Sequence, residues 1–155
     1  MVQIAHLNIA RMIDDADSAT MAPFMAQLAD INAIADAYPG FVWRLQDEAG
    51  DATAIQPTID PRLLINLSVW DSVDALAAFT YRTGHAGVMA QKGQWFEPHR
   101  NAQVVLWPVT PGHIPTIDEA FARLWHFDRY GPTRHAFGFR DRTLLADLEN
   151  VAASG

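Results

Sequence analysis

The chain has 155 residues, 50% of them hydrophobic and 19% charged, and no cysteine. A length near that of one ordinary domain and 10% aromatic content exclude two large domains and a disordered chain, and the lack of cysteine excludes disulfides, thiolate metal sites and a thiol nucleophile. Eighteen acidic against eleven basic side chains give a formal charge of −7, which repels nucleic-acid phosphates and anionic lipid, so neither nucleic acid nor a membrane is an expected partner.

Residues 2–11 alternate, with Val2, Ile4, His6 and Asn8 on one face and Ala5, Leu7 and Ile9 on the other, which predicts a first strand. From Ser18 to Ala37 apolar residues recur at Met21, Phe24, Leu28, Ile31 and Ala35, the spacing of an amphipathic helix capped by Ser18 and stopped at Tyr38-Pro39-Gly40. Phe41 to Gln46 reads as a second strand, and the turn-rich stretch 47–62 as a long connection. Leu63 to Trp70 alternates cleanly: Leu63, Ile65, Leu67 and Val69 share one face, and Leu64, Asn66, Ser68 and Trp70 the other. Ser72 opens a helix with Leu76, Phe79 and Tyr81 as apolar contacts, and Gly84 breaks it before a second helical stretch from His85 to Phe96. Val104 to Val109 is a fourth strand, and Thr116 caps a further helix, near 116–129, in which Ile117, Ala120, Leu124 and Phe127 share a face. No leader-like segment and no run of about 20 apolar residues occurs, so the expected location is cytoplasmic.

The order strand, helix, strand, strand, helix, strand, then an extra helix predicts an α+β fold, the ferredoxin-like split βαβ with a four-stranded antiparallel sheet. The expected division is one domain over 1–140 that includes the extra helix, followed by a partly frayed tail over 141–155. One face of such a sheet is covered by helices and the other needs apolar cover, so a homodimer across the sheet is expected.

In this topology polar residues converge on one sheet face: His6 and Asn8 from the first strand, Asn66, Ser68 and Trp70 from the third, with Arg44 and Trp107 on the neighbouring strands. Buried polar groups need partners, so such a face calls for water, a helix side chain or a ligand. His85 follows the Gly84 break on the helix that crosses this face, completing a Trp-lined cavity of the kind that takes a planar organic molecule. The plainer alternative is that Trp70, Trp95 and Trp107 are core and that the histidines are hydrogen-bonded packing. Other chemistries fail on inspection. The sequence has no Gly-rich phosphate loop, no His-Glu-x-x-His zinc face, no glycine-flanked serine nucleophile and no persuasive carboxylate pair, so no metal is expected.

The segment Leu64-Ile65-Asn66-Leu67-Ser68-Val69-Trp70-Asp71-Ser72, followed by a helix that ends in a histidine, resembles the strand-helix signature of the antibiotic biosynthesis monooxygenase group of dimeric α+β barrels. Over Ile4 to Phe139 the chain more closely resembles the bacterial domain of unknown function 3291, through Pro39-Gly40-Phe41-Val42-Trp43-Arg44-Leu45, Asn66-Leu67-Ser68-Val69-Trp70, Tyr81-Arg82-Thr83-Gly84-His85, Trp95-Phe96-Glu97-Pro98 and Gly112-His113-Ile114-Pro115-Thr116. The wider superfamily includes heme-degrading monooxygenases, whose iron-ligating His, hydrogen-bonding Asn and porphyrin-crowding Trp match His85, Asn8 and Trp70 here; it also includes cofactor-free quinone-forming monooxygenases and polyketide cyclases.

The resemblance implies a homodimeric enzyme that oxygenates an aromatic or polycyclic small molecule in the cavity. His85 is then the general base, Asn8 and Asn66 bond a developing oxyanion, and Trp70 and Trp107 stack on the substrate. His6, Ser68, Arg44 and Tyr81 complete the substrate-binding set. No cofactor is expected, with heme as a narrower variant; cyclase or isomerase chemistry and noncatalytic binding of a hydrophobic ligand are the alternatives.

Overall fold

The computed structural model describes residues 2–46, 60–82, 92–98, 101–141 and 143–144. Four strands, β1 (Gln3–Arg11), β2 (Phe41–Arg44), β3 (Leu63–Trp70) and β4 (Val104–Val109), form one antiparallel sheet in the order β2-β3-β1-β4. Helices α1 (Ala22–Asp36) and α2 (Val73–Arg82) follow β1 and β3, and α3 (Ile117–Tyr130) follows β4. This is the ferredoxin-like arrangement, with β1 and β3 central.

The predicted strands match the observed ones to within two residues, because alternation sets them. The first helix begins later than its periodicity suggests. Ser18 accepts the Met21 amide on its Oγ at 3.2 Å and the Ala22 amide on its carbonyl at 3.1 Å, closing a turn ahead of the helix. A proline then sits in the first helical turn, where its missing N–H has no intrahelical role. Ser72 and Thr116 cap as expected: Ser72 Oγ accepts the Ala75 amide at 3.1 Å, and Thr116 Oγ1 the Glu119 amide at 3.1 Å. Gly40, at φ 90°, brings the turn between α1 and β2 so close to α2 that a Cβ there would lie 2.5 Å from that of Ala75.

The register fixes two unlike faces. On the first, β1 and β3 oppose Ile4 to Trp70, His6 to Ser68, Asn8 to Asn66 and Ala10 to Leu64. One end of this face packs Ile4, Trp70 and Leu106 against Ala35, Val73, Leu76 and Phe79 of α1 and α2. The other end packs Leu64 and Met12 against Met21, Phe24, Leu28 and Trp95. A polar band of His6, Asn8, Asn66 and Ser68 is left between two apolar clusters.

The second face carries Ala5, Leu7, Ile65, Leu67, Val69, Val105, Trp107 and Val109, all buried, with Ala120 and Leu124 of α3 in the same core and Phe121 and Phe127 against it. The cover for this face therefore comes from the extra helix of the same chain. The face of Leu63, Ile65, Leu67 and Val69 thus needs no second chain for its cover: Ile65, Leu67 and Val69 are buried in a single chain, with Leu63 packed against them.

After α3 the chain returns along the free edge of β4. Phe137 and Leu106 exchange both backbone hydrogen bonds, at 2.8 and 2.9 Å. Ala136 joins the second core and Phe137 the first, so this strap passes from one face to the other before a short turn at Phe139–Asp141. The predicted helical stretch from His85 to Phe96 lies largely outside the described residues. Of it, Lys92–Gln94 forms one 3-10 turn and Phe96 bridges to Met12.

Candidate functional site

A cavity of about 1180 Å³ lies between the first sheet face and the helices. Its floor is the polar band. His6, Asn8, Asn66 and Ser68 are each half-buried, held there because neighbouring alternate positions on β1 and β3 must point the same way. Its walls are apolar side chains of α1 and α2, including Phe24, Leu28, Leu76 and Phe79, and its far side is the strap with Phe139. A site of this size with a few polar groups on an apolar lining suits an organic molecule of several fused rings.

Trp70 stands at one end of the floor and belongs mainly to an aromatic box. It is 1% exposed, stacks on Phe79 with centroids 5.2 Å apart, and meets Phe41 and Tyr38 edge-on at 5.4 and 6.3 Å. Its indole N–H donates to Ser68 Oγ at 3.0 Å. The Ser68 hydroxyl is thereby oriented, with its own O–H left to donate elsewhere. Phe139 of the strap faces His6 at 6.0 Å between ring centroids and Tyr81 at 5.9 Å.

Arg44 reaches the wall, but its guanidinium forks onto Asp36, the last residue of α1, with Nε–Oδ1 2.7 Å and Nη2–Oδ2 3.2 Å. It ties β2 to α1, and the charge arrives already neutralised. Tyr81 lines the cavity and is 57% exposed, at the rim rather than in the packed apolar contact that helical spacing suggested. A second ion-pair set fixes the segment before β4: Arg11 bonds Asp60 through Nε at 2.9 Å and Glu97 through Nη1 at 2.7 Å, and Glu97 lines the cavity. The Asp60 carboxyl is held below its usual range, first by the Arg62 backbone N–H and then, against the opposing effect of burial, by Arg11.

Trp107 is a correction. Its Cα partner on β1 is Ala5, so its side chain belongs to the second face, fully buried in the core beneath α3, and it does not stack on anything in the cavity. Its Nε1 has no hydrogen-bond partner among the described residues. The sequence placed Trp107 on a neighbouring strand without fixing its register, and a one-residue shift exchanges faces. His85, the expected general base, lies outside the described residues. Of the proposed cluster, Asn8 and Trp70 share the face as alternation required.

Two parts of the site escaped sequence reasoning. Asn32 lines the cavity from α1, and a signal existed: it stands four residues after Leu28 and eight after Phe24, a polar residue set into the buried stripe. The strap residues Phe139, Arg140 and Asp141 line it too, from a stretch with no usable period. Among the described residues no group of three or more His, Asp or Glu side chains is placed to hold a metal ion, and no helix is long and apolar enough to cross a membrane.

A family model described as Domain of unknown function (DUF3291) matches residues 3–153. No curated protein matches the chain. Among solved structures, it is similar to the NE2512 protein of unknown function from Nitrosomonas europaea, at 14% identity over 75% of this chain and 97% of that one, with a TM-score of 0.48. It is also similar to a dabb family protein with a ferredoxin-like fold, mll5499 from Mesorhizobium loti, at 16% identity over 73% of this chain and 100% of that one, with a TM-score of 0.44.

Proposed function

The chain belongs to the DUF3291 family, and from the site that it builds we propose that it binds an aromatic or polycyclic small molecule between sheet and helices and oxygenates it without a cofactor. The observation that carries this reading is the polar band at the floor of a large, mainly apolar cavity. A planar ring system would fill the space between Phe24, Leu28, Leu76 and Phe79 while its oxygen substituents reach the amides of Asn8 and Asn66. Amide donors fixed on two central strands need no rearrangement to meet an oxygen that gains charge, which is how such groups lower a barrier. Imidazole is the side chain whose ordinary pKa lies nearest neutrality, so His6, next to Asn8 on the floor, is the described residue suited to accept a phenolic proton. The ionised ring then reduces dioxygen: a phenol and O₂ give a quinone and water, with every electron supplied by the substrate.

Of the three residues that the resemblance matches to a heme set, Asn8 and Trp70 line the described cavity and His85 lies outside the described residues. A carrier role is the second reading, favoured because several charged side chains on the walls already have protein partners. An oxygen electrode and quinone absorbance, read with a panel of hydroxynaphthalenes and hydroxyanthracenes, separate the two. Oxygen uptake that falls at least tenfold in His6→Ala supports the oxygenase. Binding with no uptake across the panel supports the carrier and overturns the enzymatic reading.

A further inference from the structure

Resting on the reading of the cavity as a small-molecule site, we propose that the cross-strand pair Asn8 and Asn66 selects a neutral ring carrying two oxygen substituents in a 1,3 relation. These two residues are direct partners in the β1–β3 register, both half-buried and both on the cavity floor. Their side-chain amides make no hydrogen bond to any other described residue, although half-buried amides incur a desolvation cost unless something pairs with them. The polar groups around them are differently placed. Ser68 is engaged by the Trp70 indole, Arg44 by Asp36, Glu97 by Arg11, and Asp141 accepts the Gly138 amide at 2.9 Å. Arg140 is solvent-exposed. Beside His6 the floor thus offers two uncharged amides, and the Arg44 and Glu97 charges that line the cavity are paired within the protein, a setting that favours an uncharged ligand over a carboxylate or phosphate.

Spacing narrows the class further. Directly opposed residues on antiparallel strands hold their Cβ atoms roughly 4.5–5.5 Å apart. Amides carried in parallel from such a pair meet oxygens at a comparable separation, which 1,3-disubstitution on a six-membered ring provides; 1,2-oxygens are closer and 1,4-oxygens face opposite ways. Each amide presents both N–H and C=O, so each reads a hydroxyl or a carbonyl. Asn32, on α1 across the cavity, offers a third amide to the opposite edge of the ring.

The test titrates the intact protein with 1,3-, 1,2- and 1,4-dihydroxynaphthalene under argon, with 1-naphthol and 2-naphthoate alongside, reading tryptophan quenching and calorimetric heat. The expected result is that the 1,3 isomer binds about tenfold more tightly than either other isomer, the worth of one well-placed hydrogen bond, and that naphthoate binds weakest. Asn66→Ala and Asn8→Ala each abolish that preference, and Asn66→Ser, which keeps a β-compatible polar residue, checks that any loss is not misfolding. Equal affinities among the isomers, or a preference that survives both alanine variants, overturn the inference while leaving the cavity as a binding site. No binding of 1-naphthol or any other member overturns the cavity reading as well.

Discussion

Trp70 is the residue on which structural and ligand-contacting roles separate most clearly by energy. Truncating it to alanine removes the ring that stacks on Phe79 and meets Phe41 and Tyr38 edge-on, in a site only 1% exposed. Large-to-small changes of this kind cost about 3–5 kcal/mol, since the surroundings collapse only partly. At about 2–4 °C per kcal/mol for a domain near this size, the midpoint of thermal unfolding should fall by roughly 6–20 °C. Trp70→Phe keeps an aromatic ring but removes the N–H bonded to Ser68, so its expected cost is smaller, about 1–2 kcal/mol. Urea melts followed by circular dichroism at 25 °C measure both. A Trp70→Ala protein within about 1 kcal/mol of the parent would show that the aromatic box does not hold the helices on the sheet, and the case for a preformed cavity would go with it.

Leu124→Ala, which opens the core between α3 and the second sheet face, should cost about 2–5 kcal/mol by the same melts, and a cost below about 1 would contradict α3 as that face's cover. Trp125, on the same helix but 68% exposed and meeting only the Phe121 ring among the described aromatic contacts, at 6.0 Å between centroids, should tolerate alanine within about 0.5 kcal/mol; a larger loss would mean that it holds more than that contact. Asp60 has a folded-state pKa below its ordinary 3.8, so its stabilising contribution is present above that value and is lost as pH falls through the lowered one. Parent and Asp60→Asn proteins should therefore differ in stability at pH 7 and converge toward pH 2 in urea melts, and a constant gap across that range would refute the assignment.

The strands were legible because period-two alternation survives local noise; it puts Asn66, Ser68 and Trp70 on one face of their strand and His6 and Asn8 on one face of theirs, and the ferredoxin-like topology brings the two rows together. Trp107 was misplaced because nothing local to Val104–Val109 says which of its faces meets β1's polar row, and its neighbours on both sides are apolar. Tyr81 looked like an apolar contact because helical spacing reports a direction and not how far the neighbouring element extends. The strap was invisible: Phe137 and Phe139 acquire their places from one exchange of backbone hydrogen bonds with Leu106, a tertiary event with no sequence period. The cover of the second sheet face was not legible, because the period of α3 reports an apolar stripe and not which face that stripe packs on.

The central position of β1 has a consequence for how the protein comes into being. Its partners lie far along the chain: Ile4 waits for Trp70, and Gln3 for Val109. During synthesis the first strand therefore has neither neighbour, and the N-terminal half can bury little of its own apolar surface. Pairings of such long sequence separation slow folding, because the intervening loops must close before any contact rewards them. At ribosomal rates of about 5–20 residues per second, β1 stays unpaired for seconds after it emerges. In that interval Ile4, Leu7 and Ile9 are a chaperone's substrate before they are anyone's core.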